Sequence, residues 1–166
     1  MQLLDLFDSQ PFLDTVTDVL DARGGEGKDS SRHLHMTGVP SAAWGAIAGA
    51  VQRRAGETLL LVAPNTELAE RCAHDLNALN DGDNDAPQVL LFPVPDRSQT
   101  GSGGGDSRAT QERLGVLDAL HRSDKPLVVV APVNALAHST LPPEELRGGY
   151  DKIAVGQTLD LSLIHI

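Results

Sequence analysis

Three uninterrupted apolar runs constrain this chain more than any other feature: Thr58-Leu59-Leu60-Leu61-Val62-Ala63, Val89-Leu90-Leu91-Phe92 and Leu127-Val128-Val129-Val130-Ala131. Runs without polar alternation predict strands buried on both faces, and such strands belong to parallel sheets covered by helices. A shorter segment, His33-Leu34-His35-Met36, leads into Thr37-Gly38-Val39-Pro40-Ser41 and an Ala-rich stretch to Val51, the form of strand, turn and helix. Aromatic residues make up only 3% of the chain, so the core must be Leu, Val and Ala, which suits a helix-flanked sheet and disfavours a sandwich or barrel.

Helical spacing fills the intervals. Residues 11–22 place Phe12, Leu13, Val16, Val19 and Leu20 on one amphipathic face. After the first long run, Asn65 or Thr66 caps a helix in which Leu68, Cys72, Leu76 and Leu79 form one stripe and Glu67, Glu70, Arg71 and Asp75 supply the wet face. A second helix, capped by Asp106 or Ser107, is expected through His121 with Leu114, Leu117 and Leu120 facing inward. Between them, Pro93 to Gly105 is poor in apolar residues and reads as loop. Four apolar strands alternating with helices predict an α/β, doubly wound sheet over residues 1–140, with ligands expected beyond the C-terminal ends of the strands. After Pro132 the chain is expected to be irregular, and a hairpin-like stretch, Lys152 to Leu159, suggests that a second subdomain starts within residues 141–160.

Composition narrows the function classes. The lone Cys72 excludes an internal disulfide, and no His/Cys cluster has zinc spacing, so packing alone must hold the fold. Residues 1–22 carry Asp5, Asp8 and Asp14 and no basic n-region, which argues against a signal peptide, and no apolar run approaches membrane-spanning length. A cytoplasmic protein without a membrane partner is expected. The net charge of −10, with 13 Lys and Arg scattered along the chain, opposes binding to a phosphate backbone and favours a protein partner.

A working phosphate loop, G-x-x-x-x-G-K-[ST], turns backbone N–H groups toward phosphate, neutralises charge with Lys and holds Mg²⁺ with the hydroxyl. The matching place here reads Thr37-Gly38-Val39-Pro40-Ser41-Ala42-Ala43-Trp44. Pro40 has no N–H, no Lys occupies the turn, and Ala42 falls where the hydroxyl is needed if Ser41 stands at the Lys position. Thr37, Gly38 and Ser41 are therefore remnants of a P-loop NTPase-like element with no working Walker A motif. Neither catalysis nor a nucleotide, metal or other cofactor is expected at this turn.

Five segments carry a family resemblance. Met36 to Ala43 followed by Glu57-Thr58-Leu59-Leu60-Leu61-Val62-Ala63-Pro64-Asn65-Thr66-Glu67-Leu68-Ala69-Glu70-Arg71 resembles the start of transcription-repair coupling factors (Mfd). So does Val89-Leu90-Leu91-Phe92-Pro93, then Gln111-Glu112-Arg113-Leu114, then Val128 to Leu136, in order and spacing across about residues 3–160. The resemblance implies a UvrB-like module that has lost its ATP site and contacts UvrA. In the full-length family protein it stands ahead of an RNA polymerase contact domain and an ATP- and Mg²⁺-dependent DNA translocase motor. That motor removes stalled polymerase and hands the lesion to nucleotide excision repair. The family's Trp-Glu and Pro-Tyr-bearing segment after the Leu-Phe-Pro strand end is replaced here by Val94 to Gly105. The implied UvrA surface lies mainly in the subdomain that begins near Lys152. A UvrB-like excinuclease subunit is the competing expectation; the missing Lys and the absence of a Tyr-rich hairpin after the Val89–Phe92 run count against it. An unrelated Rossmann-like binding domain is a third.

The remaining candidates read as structural. Gly101–Gly105 lacks a following Lys-Ser/Thr pair and serves as a tether. His33 and His35 would share one strand face but have no third ligand. Cys72 is expected to be an inert core thiol, and Ser107, Arg108 and Arg113 are expected on a solvated face. Leu161-Ser162-Leu163-Ile164-His165-Ile166 matches a peptide encoded by a common transposase sequencing adapter, so residues 161–166 are expected to be foreign to the native protein.

Overall fold

Short apolar strands in this chain find partners far away in sequence. The structure, a computed structural model, describes residues 11–21, 34–81, 83, 85–95 and 108–148. At its centre β1 (Leu59–Ala63), β2 (Gln88–Leu91) and β3 (Leu127–Pro132) form a parallel sheet in the order β1-β3-β2. Leu59 pairs with Val128 and Ala63 with Pro132 on one side of β3; Gln88 pairs with Leu127 and Leu91 with Val130 on the other. The Phe92 N–H extends this second ladder by donating to the Val130 carbonyl at 2.8 Å.

Helices cover the sheet from both sides. On one face lie α2 (Trp44–Ala55), entered through a single 3₁₀ turn at Ser41–Ala43, and α3 (Thr66–Asn80). Here Ala69, Cys72, Ala73 and Leu76 of α3 pack on Ala63, Val128 and Val130, with Trp44, Leu59, Leu61, Val89 and Leu91 around them. On the opposite face α4 (Arg108–Arg122) sets Val116 and Leu117 against Phe92, Val129 and Ala131, joined by Ala135 from the short α5 (Val133–Leu136). The amphipathic α1 (Pro11–Asp21) buries Leu13 and Val16 and is tied to α2 by the Arg54–Asp14 pair at 2.9 Å. A last helix, α6, spans Pro143–Gly148.

The ends of these helices follow local chemistry. Asn65 caps α3, its side-chain oxygen accepting from the Leu68 N–H at 2.9 Å, as its position ahead of the apolar stripe predicts. α2 ends on Gly56, whose φ of +61° is left-handed and whose N–H donates to the Gln52 carbonyl.

Five expectations are corrected. The segment Leu34–Met36 is not a strand: both apolar side chains are 41% exposed, and among the described residues no strand pairs with it. The sheet has three strands among the described residues, not four. β1 is buried on one face only. Leu60 and Val62 are 53% and 44% exposed because α4 covers β2 and β3 but not this edge, whereas every residue of β3 is buried. On α4, Leu120 is 43% exposed while Arg113 and Val116 are buried. Residues 114, 117 and 120 repeat every three positions and drift around a helix of 3.6 residues per turn, whereas 113, 116 and 117 hold one face. Residues 133–148, expected to be irregular, contain α5 and α6. The expected hairpin at 152–159, the tether at 101–105 and the tail at 161–166 lie outside the described residues.

Candidate functional site: the turn before α2 and the groove beside β1

Thr37, Gly38 and Ser41 are gathered in the turn that feeds α2. Gly38 has φ +75°, a left-handed conformation that a side chain would strain, and Thr37 and Gly38 are exposed while Ser41 is half-buried. Pro40 is extended, with φ −65° and ψ 145°, and starts the 3₁₀ turn. The Ala43 N–H donates to the Pro40 carbonyl at 2.9 Å and the Trp44 N–H to the Ser41 carbonyl. A phosphate cradle needs free N–H groups converging outward. At this turn Pro40 has none, and those of Ala43 and Trp44 are committed inside the turn.

The surroundings of the turn add no positive charge. The depression lined by Pro40, Ala42, Ala43, Ala46, Asp75, Ala78 and Leu79 contains one ionisable side chain, and it is acidic. Small residues let α2 and α3 approach closely here: a Cβ at Gly45 would stand 3.2 Å from the Asp75 Cβ and 3.3 Å from the Cys72 carbonyl oxygen.

On the other side of the turn a groove of about 410 Å³ runs between the 36–39 segment and β1. Met36, Gly38 and Val39 form one wall and Leu59, Leu60 and Leu61 the other, with Trp44, Ile47, Ala48 and Val51 of α2 beneath; none of these side chains is charged. The Trp44 indole N–H donates to the Val39 carbonyl at 3.4 Å, which fixes the wall to the helix. The sequence held a signal for this groove. Ile47 and Val51 lie one helical turn apart, off the face that packs on α3, so α2 is apolar over a wider arc than its core contact needs.

A larger depression, about 870 Å³, opens at the N-terminal ends of β2 and β3, where Arg53 pairs with Asp83 at 3.2 Å and Asp124 and Lys125 face solvent. Doubly wound sheets take ligands at the opposite edge, so size alone does not make this a site.

Arg113 departs most from expectation. Its side chain is buried, only 6% exposed, and burial holds its pKa below the ordinary arginine range. One terminal nitrogen, Nη1, donates to the Pro93 carbonyl at 2.8 Å and to the Ala135 carbonyl at 3.2 Å; the other, Nη2, is buried without a hydrogen-bond partner. Arg108 is exposed and pairs with Glu112 one turn along α4, as expected of a solvated face; Ser107 lies outside the described residues.

Cys72 is 1% exposed, and burial first, then the nearby Asp75 charge, push its thiol pKa up, so it is held as the neutral thiol. His35 is exposed and His33 lies outside the described residues. Among the described residues no group of three or more His, Cys, Asp or Glu side chains is placed to hold a metal ion, and no helix is long and apolar enough to cross a membrane.

Comparison with known proteins adds one relative. A transcription-repair-coupling factor from Myxococcus xanthus is 29% identical to this chain over 133 residues, covering 79% of the chain and 11% of that protein. No protein-family profile matches the chain, and no solved structure matches it. The chain thus spans about a tenth of the length of the curated relative it matches.

Proposed function

We propose that this chain is part of a transcription-repair coupling factor and acts there as a non-catalytic, UvrB-like protein-contact module. The observation that carries the reading is the 29% identity over 133 residues to the Myxococcus xanthus factor, spread over most of the chain rather than confined to one motif. The turn at Thr37–Ser41 supports the non-catalytic part of the reading. Its N–H groups at Ala43 and Trp44 are used internally, Pro40 has none, and the flanking depression holds an acid. The net charge of −10 supports a protein partner over a nucleic acid. In this reading the partner of the module is UvrA. RNA polymerase, DNA, ATP and Mg²⁺ are engaged by other parts of a longer protein, an ATP-driven DNA translocase. Residues 141–160 begin the UvrA-contact subdomain, and the protein works in the cytoplasm.

Two measurements test this. Sequencing the complete reading frame should reveal helicase motifs and an intact G-x-x-x-x-G-K-[ST] loop several hundred residues downstream. A stop codon soon after residue 160 overturns the proposal. Calorimetric titration of the chain with ATP or ADP at millimolar concentration should give no saturable heat; a saturable isotherm points instead to a working nucleotide site of the UvrB or Rossmann kind.

A further inference from the structure

We draw no further inference here: the strongest candidate, the side-chain cluster at the C-terminal ends of β2 and β3 in which Arg113 stacks on Phe92 with its Nη2 buried and unpartnered, carries none, because nothing in the structure shows what would meet that nitrogen.

Discussion

The guanidinium of Arg113 lies 4.0 Å above the centre of the Phe92 ring, and through that stack α4 is clamped to the end of β2. The clamp also reaches β3, because Nη1 bonds both Pro93, just past β2, and Ala135, in the helix that follows β3. A planar cation that stacks and forks suits this place better than an ammonium. Replacing Arg113 with Met leaves the Ala135 carbonyl buried without a donor, so stability should fall by about 2 kcal/mol. Arg113→Lys should recover part of that loss. Urea denaturation of the three proteins gives the order.

Helix glycines 45 and 115 should respond with opposite signs. Gly45 faces the Asp75 Cβ and the Cys72 carbonyl at contact distance, so Gly45→Val forces α2 and α3 apart and should cost about 1–3 kcal/mol. Gly115, on α4, has nothing within 4 Å of an added Cβ, so Gly115→Ala should stabilise by roughly 0.5–1 kcal/mol through helix propensity. Thermal melting of both variants beside the parent chain decides it.

Two helix ends should each be worth about 1 kcal/mol. Asn65→Ala removes the acceptor of the Leu68 N–H, and Gly56→Ala forces a side chain into a left-handed φ of +61°. Both changes should lower the denaturation midpoint without changing the slope, since neither alters the surface exposed on unfolding.

Cys72 makes a pH prediction. Burial raises its folded pKa above the ordinary thiol range, so the folded chain holds the proton more tightly than the unfolded one. That contribution to stability is fully present below the unfolded pKa and is lost as pH rises from there through the folded value. Denaturation midpoints of the parent should therefore fall faster than those of Cys72→Ala above about pH 9. In native buffer at pH 8 the thiol should react with an aromatic disulfide reagent at least a hundredfold more slowly than in denaturant.

How much was legible in the sequence follows from which residues carry local information. The three long apolar runs became strands, and the Leu68, Cys72, Leu76 stripe became a buried helical face, because hydrophobic periodicity depends only on near neighbours. Asn65 was legible as a cap for the same reason. The segment at Leu34–Met36 was not, because being a strand requires a partner and its short apolar pattern cannot name one. Arg113 misled, since a charge near a helix start reads as solvated until carbonyls from two other elements are seen to converge on it. The turn at Thr37, Gly38 and Ser41 lacks a Lys and holds the N–H-free Pro40, which the sequence states directly, whereas the groove behind it left only an indirect trace in the spacing of Ile47 and Val51.

The sequence by itself determined an α/β chain with Leu, Val and Ala in its core, one free thiol, and a turn that has no Lys and carries a proline. Those properties reside in residue type and short spacing. Tertiary structure alone decided that β3, the last of the described strands in sequence, lies between the other two, that β1 has β3 as its one strand neighbour among the described residues, and that Arg113 joins Val116 and Leu117 on the inner face of α4. The physical reason is that strand order, edge exposure and the satisfaction of a buried cation depend on contacts between residues tens of positions apart, and no local pattern records which of them will meet.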